Sequence, residues 1–232
     1  MIVLAIECST ASGGVAIVEN GTVRGSVNFS TSTLYSQRLL PSLEWLMARC
    51  GVAAGEINGL GISTGPGSFT GLRIGLSAVK GLAYAWHVPV AGVGTMEALA
   101  LRAATPRQGE SVRVCTLLDA RQGELFAGLF EVSCPGRGTY AVQRLRAEHL
   151  PDVAHVAEWI DQRTIFAGDA VLKHSTSLDL ALGERVVLAS PLRMLPSAEE
   201  VGWLAWQELA SGDSDDLMLL EPEYLRRSYM QR

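Results

Sequence analysis

Twice along this chain an apolar run ends on an acid, crosses a turn of small residues and doubles back as a second extended run. "IVLAIE" leads through "CSTAS" into "GGVAIVENGTVRGSVNF", and "VRVCTLLD" leads into "ARQGELFAGLFEV". Such a duplication leaves few options, because each hairpin makes an apolar sheet surface that later helices must cover. In the first half the return strand turns again at Asn20-Gly21, a hairpin dipeptide. The hydroxyl cluster at 30–33 precedes a helix expected over 34–50, with Leu39, Leu40, Leu43, Leu46, Met47 and Cys50 at helical spacing and Gly51 as its stop. A strand "INGLGIS", a Gly/Pro-rich loop, a helix over about 70–86, a strand "VPVAGV" and a short helix from Thr95 to about Ala104 follow.

The second half repeats this order. After its hairpin come a third strand, "TYAVQRLR", a helix with Val153, Val156, Ala157 and Ile160 on one side, and a strand "TIFAG". A helix aligning Val171, Ser175, Leu178 and Leu182 and a strand "RVVLA" complete it. Sequence identity between the halves is negligible, so the repeat is one of element order. That order is the signature of an α/β fold with two ribonuclease-H-like lobes, the actin/Hsp70/sugar-kinase (ASKHA) architecture, with the second lobe degenerate. The expected division is 1–105 for the first lobe, 106–196 for the smaller second lobe, and 213–232 for a tail. A helix over 197–212, with Val201, Leu204, Ala205 and Leu209 on one face, is expected to return to the first lobe.

Composition narrows the chemistry. With 48% hydrophobic and 19% charged residues over 232 positions, the chain is ordered and globular. Its formal charge of −5 supplies no basic field for a polyanion, so tight binding of nucleic acid by this chain alone is not expected. Cys8, Cys50, Cys115 and Cys134 are too scattered for a zinc knuckle, and the four histidines include no pair at metal-ligand spacing; no metal is expected. The mildly apolar stretch 74–93 is interrupted by Lys80, His87 and Pro89, and the first residues lack the pattern of a signal peptide. A cytoplasmic protein without a membrane segment is the expectation.

Four features could carry function. The glycine-rich turns "ECSTASGG" and "TGPGSFTG" could present backbone N–H groups of Ser9, Thr10, Gly65, Gly67 and Ser68 to a phosphate. Neither is a P-loop or a dinucleotide fingerprint, and the alternative is plain strand–turn–helix links. Glu7 and Asp119, at equivalent hairpin mouths, could hold a magnesium ion or a water, or each could cap its own turn or pair with a neighbour such as Arg121; the second is favoured. In the helix over 70–86, Leu72, Leu76, Val79, Ala83 and Trp86 form a large apolar stripe beside a small-residue stripe of Gly71, Gly75, Ala78, Gly81 and Ala85. A third face carries Arg73, Ser77, Lys80 and Tyr84. Internal glycines cost about 0.5–1 kcal/mol each relative to alanine, so close packing against another body should offset them. That body is either this chain's own sheet and helices or another subunit, and the two stripes together favour an interface. Cys8 has no histidine partner in sequence, so no catalytic nucleophile is expected.

Several strings, in order from about residue 2 to 226, resemble the bacterial TsaB (YeaZ) family: "VLAIECSTASGGVAI", "STGPGSFTGLRIGLSAVKGLA", "DARQGELF", "GDA", "LPSAE" and "EPEYLR". The resemblance implies a paralogue of TsaD, the enzyme that transfers a threonylcarbamoyl group to adenosine N6 beside the tRNA anticodon. The metal-ligating histidines of TsaD relatives fall on Thr95 and Leu99 here, so the resemblance implies a chain with no catalytic residues, and Leu99 cannot ligate a metal. Two departures stand out: Glu7 and Tyr35 occupy places where the family often has aspartate and histidine.

The same resemblance implies a non-catalytic subunit of the N6-threonylcarbamoyladenosine (t6A) complex that binds and stabilises TsaD as a heterodimer. It also implies TsaE in a ternary complex, a homodimer when alone, and tRNA met only through the complex. The contact is expected from the helices over 34–50 and 70–86, through Tyr35, Leu39, Leu43, Arg73, Gly75, Leu76, Ala78, Val79, Lys80 and Leu82. No cofactor is required by this chain, but ATP or ADP at a partner interface is open, with Gly168 joining the turn residues as a nucleotide position. The competing readings are a free-standing ASKHA-type ATPase or phosphotransferase and, more weakly, a peptidase.

Overall fold

The computed structural model describes residues 1–30, 35–104, 106–136 and 138–223. The chain divides into two compact units, Met1–Ala98 with Pro196–Glu223, and Leu99–Leu195.

The first unit is built on a five-stranded sheet. β1 (Ile2–Glu7), β2 (Ser12–Glu19) and β3 (Thr22–Ser30) form an antiparallel meander, and β4 (Gly59–Gly65) and β5 (Val90–Gly94) add in parallel beyond β1, in the order β3-β2-β1-β4-β5. Successive side chains of a strand point to opposite faces, so a central strand covered on both sides must be apolar throughout. β1 obeys this. Ile2, Leu4 and Ile6 join a core cluster that includes Leu39, Leu43 and Leu46 of α1 (Tyr35–Cys50) and Leu76, Val79 and Ala83 of α2 (Phe69–Trp86). Val3 and Ala5 join a second cluster with Val201, Ala205 and Leu209 of α6 (Ala198–Ser211), which packs on β1, β2, β4 and β5. Close approach of α6 is possible because Gly61 has no side chain: a Cβ there would lie 2.6 Å from that of Ala205. Ser197 caps α6 by accepting a hydrogen bond from Glu199 N. The cap of α1 expected from 30–33 falls largely outside the described residues.

α3 (Thr95–Ala103) leads into the second unit, whose sheet runs β10-β9-β6-β7-β8. β6 (Ser111–Arg121), β7 (Glu124–Gly136) and β8 (Thr139–Leu150) are the antiparallel meander, and β9 (Thr164–Ala167) and β10 (Val186–Leu188) add in parallel beyond β6. Read from β8, the order is that of the first sheet, so each unit is a ribonuclease-H-like lobe. Reduction is visible in the helices: α4 (Val153–Ala157) has 5 residues where α1 has 16, and α5 (Val171–Leu182) has 12 where α2 has 18.

Candidate functional site

The mouth of the first hairpin is a closed polar cluster. Glu7 ends β1 fully buried, and its Oε1 accepts two hydrogen bonds from Ser9, one from the backbone N (2.6 Å) and one from the hydroxyl (2.5 Å). Burial penalises the charged form and pushes the carboxyl up to about 7, against the lowering effect of hydrogen bonds from Ser9 and Ser63, with Glu200 adding repulsion. Burial likewise pushes the neighbouring Cys8 thiol and Tyr35 hydroxyl far above their usual ranges, so Cys8 is an inert core thiol. The Tyr35 hydroxyl donates to the Thr10 carbonyl, tying the start of α1 to this turn.

The second glycine-rich turn packs directly on the first. Ser68 N donates to Ser9 O at 2.6 Å, and a Cβ at Gly67 would overlap that same carbonyl oxygen. Ser68 is the N-cap of α2, its hydroxyl accepting from Gly71 N. Gly65, at φ +119, adopts a left-handed conformation that favours glycine and is covered by Glu223, whose N donates to Thr64 O at 2.7 Å. Ser9, Thr10, Gly65, Gly67 and Ser68 thus come together, and each has a structural partner inside the lobe. Gly168 belongs to the second unit. There φ is +129 and the space a Cβ would need is filled by the Leu117 carbonyl.

The interface residues expected on α1 and α2 divide sharply. Tyr35, Leu39, Leu43, Gly75, Leu76 and Val79 are buried within the first lobe, so they offer no surface to a partner. The physical reason is that the large apolar stripe of α2 faces its own sheet. Gly71 and Gly75 let the helix ride directly over Cys8: a Cβ at Gly71 would overlap the Cys8 carbonyl, and one at Gly75 the Cys8 sulfur. Ala78, Lys80 and Leu82 are half-buried, and Arg73 is exposed. The small stripe is therefore split, with Gly71 and Gly75 inside and Gly81 and Ala85 in solvent.

The outward face of the two helices holds Tyr84, on the third face where the spacing put it, and three further residues that were left out of the stripes or counted as core. Phe69 is 52% exposed, with the Arg73 guanidinium 3.8 Å from its ring centre, and Tyr84 is 78% exposed. On α1, Trp45 is 54% exposed under Arg49, and Leu40 also projects outward. Counting which large residues fall off the dominant stripe would have flagged Phe69 and Trp45.

In the second lobe Asp119 is a hub. Its carboxylate accepts from Lys173 Nζ and, at 2.8 Å, from Arg121 N, while its own N donates to Asp169 Oδ1 at 2.9 Å. The Lys173 hydrogen bond holds the carboxyl below the usual range. The local-pairing expectation thus finds Lys173 as the ionic partner, and Arg121 contributes only its backbone. Thr95 and Leu99, at the two histidine places, are both buried. Among the described residues no three His, Cys, Asp or Glu side chains gather as a metal site, and no helix is long and apolar enough to cross a membrane.

Two lobes of one strand order define a protein of the actin/Hsp70/sugar-kinase class. The ROK hexokinase of Thermus thermophilus shares this fold at a TM-score of 0.54 and 13% identity, over 91% of this chain and 100% of that one. The sequence model of the family described as TsaD, tRNA N6-adenosine threonylcarbamoyltransferase, matches residues 23–231. The tRNA threonylcarbamoyladenosine biosynthesis protein TsaB of Escherichia coli is 30% identical over 98% of this chain and 96% of its own length, and that of Bacillus subtilis 26% over 97% and 94%. YeaZ from Pseudomonas aeruginosa superposes at a TM-score of 0.79 with 29% identity, covering 96% of this chain and 99% of that one. The chain belongs to the TsaB (YeaZ) family.

Proposed function

We propose that this chain is a non-catalytic subunit of the t6A-synthesising complex, binding TsaD through the outward face of α1 and α2. The carrying observation is that, with the inner stripes satisfied by the lobe itself, α2 still presents Phe69 and Tyr84 to water. Exposed aromatics beside arginine are the residue types that dominate binding energy at protein interfaces. Gly81 has no atom within 4 Å of a would-be Cβ, so a second backbone could approach α2 closely there. The same face would serve a homodimer in the absence of TsaD. The Ser9 N–H and hydroxyl are already spent on Glu7, which favours a turn that takes no nucleotide phosphate and a chain that needs no cofactor of its own. ATP or ADP, TsaE and tRNA then belong to the assembled complex.

Purified chain mixed with the TsaD of the same organism should co-elute as one complex on size exclusion. Tyr84→Asp should weaken that association at least about tenfold, because it places a charge in the desolvated centre of the contact. Two independent monomers at micromolar concentration would overturn the assignment.

A further inference from the structure

The two short motifs "DARQGE" and "GDA" lie far apart in sequence, yet in the second lobe they form one mount. β6 and β7 pair Arg121 with Glu124 across a two-residue loop, Gln122-Gly123, whose φ values are +57 and +86. Positive φ at both positions is the normal backbone of a tight hairpin. The preceding Arg121 also has φ +69, beside a register shift between Asp119 and Arg121. Arginine rarely adopts this left-handed conformation, and residues held there mark positions where the surroundings over-determine the backbone. Here the surroundings can be named. Gly168, packed on the Leu117 carbonyl, sets Asp169 so that its carboxylate receives Asp119 N. Lys173 of α5 fixes the other end of the Asp119 side chain, which receives Arg121 N.

All this machinery grips the backbone of Arg121 and leaves its guanidinium alone. The side chain is exposed and has no hydrogen-bond or ion-pair partner among the described residues. Two of the neighbouring acids are committed, Asp119 to Lys173 and Asp169 to Asp119 N, and Glu124 lies 3.0 Å from His149 Nε2. We propose that Arg121 is a pre-set binding arm, held at the hairpin tip to make a forked contact with a carboxylate on a protein partner of the complex. The inference rests on the reading above that this chain works within a complex. A carboxylate is favoured over an RNA phosphate on charge. Binding to a nucleic-acid backbone draws on a summed basic field, but this chain carries −5 and the mount neutralises its own lysine. A single planar guanidinium with a fixed backbone suits short-range, geometry-set recognition of a carboxylate.

The test measures, for wild type, Arg121→Gly, Arg121→Asn and Arg121→Lys, both the melting temperature and the affinity for the assembled TsaD–TsaE partners, with and without tRNA. Glycine and asparagine accept the left-handed backbone, so neither should lower the melting temperature, and glycine should raise it by about 2 °C. All three should weaken protein association, Gly and Asn at least about tenfold and Lys by less, because an ammonium keeps the charge and loses the fork. Unchanged protein affinity in Arg121→Gly and Arg121→Asn overturns the proposal. So does a loss seen only in tRNA retention, which would assign the arm to a phosphate. If the wild type itself fails to bind the partners, the complex reading fails first, a result distinguishable from failure of the arm.

Discussion

Replacing Glu7 by glutamine should make the protein more stable at neutral pH than at mildly acidic pH relative to wild type. An ordinary glutamate titrates near 4.5, whereas burial holds the Glu7 carboxyl at about 7 in the folded lobe. A carboxyl raised on folding means that the native state binds its proton more tightly than the unfolded chain. Its contribution is therefore fully present below about pH 4.5 and is lost as pH climbs towards 7. The separation corresponds to about 3 kcal/mol at 1.36 kcal/mol per pH unit, of which about 2.5 kcal/mol falls between about pH 5 and pH 8. Glutamine keeps the oxygen that accepts both Ser9 donors and does not titrate. Urea unfolding followed by tryptophan fluorescence at several pH values gives the difference between variant and wild type, in which other titrating groups cancel. That difference should rise by about 2–3 kcal/mol from about pH 5 to pH 8 in favour of Glu7→Gln. A flat difference, or one that falls with pH, would refute the reasoning, because it would mean that Glu7 is ionised in the lobe and is stabilised there by its hydrogen bonds.

Gly71→Ala should lower stability by about 2–3 kcal/mol, since its Cβ would overlap the Cys8 carbonyl, a backbone atom that cannot swing aside; a thermal melt within a degree of wild type would contradict this packing. Leu39→Ala, at a fully buried position, should cost about 2–5 kcal/mol in urea unfolding. Leu40→Ala next door, half exposed, should leave stability within about 0.5 kcal/mol yet weaken TsaD binding in a pull-down or calorimetric titration.

Much of the fold is local information. The uniform apolarity of "IVLAI", the Asn20-Gly21 turn and the helical spacing of Leu39, Leu43 and Leu46 each state their own element, because strand and helix periods are short-range properties of the backbone. The duplicated order of those elements then leaves only one familiar way to arrange two sheets. The strings at 63–83 and 119–126 carried the family in the same local way.

What periodicity cannot say is which of two apolar faces turns inward. Seen as letters, Leu76 and Val79 are as fit for a partner as for a core, and only the assembled sheet, with Cys8 lying under Gly71 and Gly75, sends them inside and leaves Phe69 and Tyr84 to water. The same holds for polar partners. Nothing near Asp119 in sequence announces Lys173, 54 residues later, and nothing in "ECST" announces that Ser9 spends both donors on Glu7. The sequence by itself determined which segments are strands and helices, their order and the family they spell. Tertiary structure decided which faces are covered and which charges are satisfied, because those depend on atoms brought together only when distant segments pack.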